Sequence, residues 1–122
     1  MAHFTGDRRY FENALGKEYD YTQATGPYEY LLGALAGCFY STLSSYERKS
    51  GWKNVDIEVI GIKRDGPSPR MLEHTLLDIT VTGAEDRDEF ERLVEKASSS
   101  CSIYCTLSAV SRMEWRITYK DD

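Results

Sequence analysis

Three cysteines, Cys38, Cys101 and Cys105, are the side chains in this chain best suited to covalent chemistry. The thiolate is the nucleophile, and an unperturbed thiol with a pKa of about 8.5 is less than about a tenth ionised near neutral pH. Burial in apolar surroundings lowers that fraction further. On an ideal helix turning about 100° per residue, Cys38 lies within roughly 60° of Leu31, Ala34, Leu35 and Thr42, so it faces packed neighbours. Cys101 ends a stripe of Phe90, Leu93, Val94 and Ala97 at helical spacing and also points inward. Two inward cysteines on two central helices could meet, although the same pattern suits small buried hydrophobes. If Cys38 is reactive, its mid-helix position denies it its own helix's positive end, so a cation from elsewhere is required; Arg8, Arg9 and Arg64 are the candidates. Cys101 and Cys105 also form a C-x-x-x-C spacing that His3 and His74 could extend toward a metal, but there is no C-x-x-C knuckle and the histidines are far apart. No metal is expected.

The elements that must position these thiols are well signalled in places. A helix is expected over residues 27–50, with Gly26 at the cap, Pro27 at the first helical position and Gly51 just past the end. Its first half, from Tyr30 to Phe39, is apolar or small on every side, which places it centrally. Its second half, with Glu47, Arg48 and Lys49, is wet. Gly33 and Gly37, followed by Ser41 and Ser44, form a small-residue stripe that serves either as a packing groove for the same chain or as a self-associating face. A second helix is expected over residues 85–101, opened by Asp86 with Glu89 three residues on. Strands are expected over residues 55–62, about 71–82 and 113–119, the last alternating Met113, Trp115, Ile117 and Tyr119 with polar residues. The first of these changes phase at Ile60 and Ile62 around Gly61, which suggests a bulge or a change of partner there. A loop carrying Gly66, Pro67 and Pro69 separates the first two, a weaker strand is expected around Tyr19 and Tyr21, and residues 1–16 carry no clear pattern.

A chain of 122 residues without repeats or linkers fits one domain. The formal net charge of −5 and the lack of a basic cluster argue against nucleic acid or an anionic membrane as partner. No stretch reaches the roughly 18 apolar residues of a membrane span, and the start lacks the basic and apolar runs of a secretion signal. A cytoplasmic location is therefore expected, where structural disulfides are rare and the cysteines would serve as thiols, ligands or redox centres. The odd count prevents complete intrachain pairing.

The run Gly26-Pro27-Tyr28-Glu29-Tyr30-Leu31-Leu32-Gly33-Ala34-Leu35-Ala36-Gly37-Cys38-Phe39 resembles the central-helix signature of the OsmC and organic hydroperoxide resistance family, in which a Pro-led apolar helix carries a cysteine eleven residues on. The run from Ala97 through Cys101 to Leu107 is similar to that family's second cysteine motif, and the order of elements matches from residue 17 to the end. The resemblance implies an α+β, OsmC-like fold with two central helices packed against antiparallel β-sheets, in an intertwined, swapped homodimer. It implies Cys38 as the peroxidatic thiolate, Cys101 as the resolving thiol, a small organic hydroperoxide or hydrogen peroxide as substrate and an external dithiol as reductant. No cofactor is implied. The chain departs from the pattern in carrying Ser102 where the family usually has Pro after the second cysteine, and Tyr28 where its reductases place the Glu that orients a catalytic Arg. Glu29, one residue later, lies about 180° from Cys38 on an ideal helix and reads better as a capping residue, while Tyr28 lies about 80° away. A thiol peroxidase is the expected activity; the alternatives are a catalytically weak module that binds a small ligand or a protein, and a peroxide-responsive thiol switch.

Overall fold

In the computed structural model, which describes residues 2–4, 9–20, 26–46 and 51–121, the alternating runs become strands of two separate three-stranded sheets. The chain divides into two units, Met1–Tyr30 and Leu31–Asp122, with the boundary inside the first helix. In the first unit β1 (Ala2–Phe4), β2 (Arg9–Glu12) and β3 (Glu18–Asp20) form an antiparallel sheet in sequence order. Asn13 shapes the β2–β3 turn by accepting the N–H groups of Leu15 and Lys17 on its side-chain oxygen, at 2.9 and 3.0 Å. Gly16 sits in that turn at φ 82°, where a side chain would be strained. β1 and β2 occupy the stretch where the sequence carried no clear pattern, because strands of three or four residues are too short to show a period, and β3 lies where the weaker strand was expected around Tyr19, with Tyr21 outside the described residues.

The second unit holds β4 (Asn54–Lys63), β5 (Leu72–Thr82) and β6 (Arg112–Lys120) in that order, with helix α1 (Pro27–Ser44) entering from the first unit and α2 (Arg87–Ser100) and α3 (Ser102–Ser108) lying between β5 and β6. Helix α2 forms as its residues dictate. Asp86 caps it by accepting the Glu89 N–H at 3.0 Å, and Phe90, Leu93, Val94 and Ala97 are buried on one stripe. That stripe and Leu35, Phe39 and Leu43 of α1 form one core with Leu77, Ile79 and Val81 of β5. Val55, Ile57 and Val59 pair in register with Val81, Ile79 and Leu77, and Trp115, Ile117 and Tyr119 lie opposite Leu77, Ile79 and Val81 on the other side. One buried polar pair interrupts this apolar face, the Thr75 and Ser111 hydroxyls bonded to each other at 2.8 Å.

Three expectations are corrected. The second sheet is mixed rather than antiparallel, since β6 runs parallel to β5; the intervening α2 and α3 carry the chain back to the starting end of the sheet, as a parallel partner requires. The irregularity in β4 falls between Ile62 and Lys63, and Gly61 stays in register with Thr75. Ile60 and Ile62 point to the outer face, 43% and 50% exposed, and Gly61 lies against the ends of two leucine side chains, where an added Cβ would meet Leu72 at 2.9 Å and Leu32 of α1 at 3.0 Å. Helix α1 ends at Ser44, and residues 47–50 lie outside the described part. The second expected helix is α2, ending at Ser100, and a further short helix that was not expected, α3, follows Cys101.

Candidate functional site

Phe39 follows Cys38 on α1, and Tyr104 stands three residues beyond Cys101 in α3. Their rings meet at a centroid distance of 5.7 Å with planes 44° apart, Phe39 wholly buried. Such an aromatic pair contributes about 0.5–1.5 kcal/mol beyond its buried area, and here it fixes α3 against α1 beside both cysteines. The sulfurs of Cys38 and Cys101 are 3.2 Å apart, with the Cys101 thiol donating to Cys38. Cys38 is half-buried and Cys101 fully buried, so the more accessible sulfur is the one on α1.

Cys101 serves as both the end of α2 and the start of α3. Its N–H donates to the Ala97 carbonyl at 2.8 Å, its own carbonyl accepts the Cys105 N–H at 3.0 Å, and its sulfur accepts the Tyr104 N–H at 3.5 Å. Its backbone is extended, at φ −73° and ψ 115°, which breaks the helix and leaves the first N–H groups of α3 free of intrahelical acceptors. These groups settle the electrostatics of the pair. The N–H of Ile103 acts most strongly to hold the Cys38 thiol below its ordinary pKa, followed by the Cys101 thiol; burial opposes them, and the hydroxyl and N–H of Ser102 add to the lowering. Burial pushes the Cys101 thiol up, the Tyr104 N–H partly offsets this, and the neighbouring Cys38 raises it again. The pair therefore holds one readily lost proton and one retained proton, with the anion favoured on Cys38.

The described groups lowering Cys38 are thus backbone and hydroxyl groups of α3 together with the neighbouring thiol. Arg64 is exposed and donates to the Pro69 carbonyl at 2.8 Å within its own loop. Arg8 lies outside the described residues, and Arg9 is placed through its backbone in β2, opposite Phe4. Sequence reasoning missed Ser102 and Ile103 because it did not resolve α3. The available signal was Tyr104 and Leu107, an apolar i, i+3 pair after a polar Ser-rich run, too short to stand out as a period. Glu29 occupies the third position of α1 and its carboxylate folds back over Gly26, where an added Cβ would meet it at 2.6 Å; this is the placement of a capping residue. Tyr28 is the second residue of α1 and half-buried.

Cys105 is exposed on α3 with its thiol directed at the carbonyls of Ser98 and Ser99, each at 3.6 Å. His74 bonds Glu114 at 2.8 Å across the β5–β6 pair. Among the described residues no group of three His, Cys, Asp or Glu converges as metal ligands would, and no described helix is long and apolar enough to cross a membrane.

Among the described residues the chain is an α+β fold of three helices and two sheets, with a close pair of thiols between α1 and the α2–α3 junction. The family model described as OsmC-like protein matches residues 19–116, and the chain belongs to that family. Solved structures share the fold at low identity. An OsmC-like protein from Mycoplasma pneumoniae superposes with a TM-score of 0.73 at 16% identity, covering 91% of this chain and 94% of that one. An organic hydroperoxide resistance protein OsmC from Legionella pneumophila gives 0.65 at 17% identity, covering 97% and 93%. The organic hydroperoxide resistance protein OhrB of Bacillus subtilis gives 0.59 at 15% identity, covering 97% and 95%. No curated protein matches the sequence.

Proposed function

We propose that this protein is a thiol-dependent peroxidase that reduces organic hydroperoxides or hydrogen peroxide with Cys38 as attacking sulfur and Cys101 as resolver. The observation that carries this reading is the 3.2 Å separation of two sulfurs whose proton affinities are driven apart, the accessible one toward thiolate and the buried one toward thiol. The thiolate of Cys38 attacks one oxygen of the peroxide; the O–O bond breaks, Cys38 becomes a sulfenic acid, and the leaving alkoxide takes a proton to depart as alcohol. The Cys101 sulfur then displaces hydroxide from that sulfenic acid, and the Cys101 proton leaves with it as water. The resulting disulfide is returned to two thiols by an external dithiol, itself oxidised to its disulfide. The similar Legionella and Bacillus structures are those of organic hydroperoxide resistance proteins, which agrees with this substrate class.

The functional unit in this reading is the intertwined homodimer, in a reducing cytoplasm that supplies the dithiol. Helix α1 buries one stripe, Leu35, Phe39 and Leu43, and leaves Leu31, Gly33, Ala34, Gly37 and Tyr40 exposed. An added Cβ at Gly33 or Gly37 would meet nothing within 4 Å, so within this chain the small-residue stripe is an open surface rather than a packed groove. A second copy would cover it. A second reading, a thiol switch or weak binding module, is favoured by Glu29 serving as a cap.

Stopped-flow consumption of cumene hydroperoxide with excess dithiol decides between them. Wild type should consume peroxide, Cys38→Ser should not, and Cys101→Ser should stall as a sulfenic acid that overoxidises. Equal rates for wild type and Cys38→Ser would remove the peroxidase reading.

A further inference from the structure

Strand β6 is nine residues long and, among the described residues, pairs on one side only, with β5. An open edge of that length is a template for another strand unless something blunts it. One bond fixes which main-chain groups face outward. The Gly83 N–H donates to the Lys120 carbonyl at 3.0 Å, next to the Thr82–Lys120 pair, so the main chain of Lys120 faces β5. This direction alternates along a strand, so Glu114 and Arg116 also face β5, and the N–H and C=O groups of Met113, Trp115 and Ile117 face out. The charged side chains that could cover this edge lean the other way: Glu114 bonds His74 at 2.8 Å and Arg116 bonds Asp78 at 3.0 Å, both on β5. Arg87 occupies the C-terminal end of the strand, 4.9 Å over the Tyr119 ring and bonded to Asp121 at 3.3 Å, so the open stretch is 113–117.

We propose that this edge pairs with the β6 edge of a second copy, antiparallel about a two-fold axis through Trp115. The run Met113-Glu114-Trp115-Arg116-Ile117 is self-complementary in that register. Glu114 faces the partner's Arg116, Arg116 faces the partner's Glu114, and Met113 faces the partner's Ile117. The two Trp115 residues exchange both main-chain bonds, as their outward N–H and C=O groups allow. Charge rejects the adjoining registers: an axis through Glu114 sets carboxylate against carboxylate, and one through Arg116 sets guanidinium against guanidinium. An axis through Ile117 needs Tyr119 to pair at the end that Arg87 occupies, and one through Met113 runs past the start of the strand. A groove of about 460 Å³ beside the edge, lined by Trp115, Ile117 and Tyr119 and by Asp88 and Glu91 of α2, gives the partner's Trp115 ring space on the inner face. The contact is separate from the open face of α1, so it doubles whatever assembly that face forms.

The test is sedimentation velocity of the full chain over a concentration series, for wild type, Glu114→Arg, Arg116→Glu and the double variant carrying both changes. Wild type should double in mass as concentration rises. Each single variant turns two attractive cross-strand pairs into two repulsive ones and should weaken the doubling about tenfold. The double variant should restore it, and so should an equimolar mixture of the two single variants, because opposite signs then face each other again. Amide exchange should slow at Trp115 and Ile117 as wild type doubles and stay unchanged at Glu114 and Arg116, whose N–H groups face β5. No doubling of wild type, equal doubling in the single variants, or a mixture that restores nothing would overturn the inference. The single variants lose exposed ion pairs, which contribute little to stability, and they keep the α1 face. A smaller dimer that survives in them is therefore the homodimer proposed above; doubling at β6 without that dimer would sink the intertwined homodimer alone.

Discussion

Oxidation of the reduced protein by one equivalent of hydroperoxide is expected to raise its thermal stability by an amount that identifies the bond formed. Cys38 and Cys101 are 63 residues apart, and the loop-closure entropy removed from the unfolded chain by linking them corresponds to about 4 kcal/mol at 25 °C. The competing link between Cys101 and Cys105 closes a loop of about four residues and corresponds to about 2 kcal/mol. With an unfolding entropy of about 2.1 cal/mol/K per residue over 122 residues, these gains correspond to Tm increases of about 15 °C and about 7 °C. Both are upper values, because forming the first bond draws the sulfurs about 1 Å closer than they stand, and any strain in α3 subtracts from the gain. Differential scanning calorimetry of reduced and oxidised protein, at one chain concentration so that association is held constant, measures the difference. The larger increase should vanish in Cys38→Ser and in Cys101→Ser and survive in Cys105→Ser. An oxidised protein that melts no higher than the reduced one, or a gain that persists in Cys38→Ser, would refute the pairing.

Three further outcomes are expected. As pH rises, iodoacetamide should modify Cys38 before Cys101; the lowered Cys38 pKa contributes stability that is lost as pH falls through it, and the raised Cys101 pKa contributes stability that is lost as pH rises through it, both readable in melts of the reduced protein across pH. Asp86→Ala removes the acceptor of the Glu89 N–H and should cost about 1 kcal/mol in urea unfolding, with Asp86→Asn costing less. Phe39→Ala, at a wholly buried ring packed on Tyr104, should cost about 3–5 kcal/mol, and at temperatures where the variant remains folded it should also slow disulfide formation by releasing α3.

Where the sequence was readable, a period was at work. The Phe90, Leu93, Val94, Ala97 stripe and the Met113, Trp115, Ile117, Tyr119 alternation are long enough to reveal their type and inner face, and both lie where expected. Ile60 and Ile62 misled because a strand can carry apolar residues on both faces, and Gly61 answers to Leu32, a contact across 29 positions that no local pattern announces. The parallel pairing of β6 with β5 depends on how the intervening helices return the chain and leaves no mark in either strand. At the site, the inward direction of Cys101 could be read from helical spacing, whereas Cys38 is half-buried, with Leu35 buried beside it but Leu31 and Ala34 exposed. Their meeting was open from spacing and their pairing entered through family resemblance, while the N–H groups of α3 acting on Cys38 could not be read, because backbone N–H groups carry no residue signature. A search for side-chain cations is blind to that source of stabilisation.

The account's central claim is that one peroxide converts the Cys38 and Cys101 thiols into a single bond. Intact mass and peptide mapping after addition of one equivalent of cumene hydroperoxide, with the alcohol product quantified in the same sample, tests it most directly. The account predicts one alcohol formed per chain, the loss of two hydrogens per chain and a Cys38 to Cys101 crosslink within the same chain. Unconsumed peroxide with three free thiols, or a crosslink that leaves Cys38 out, would contradict it.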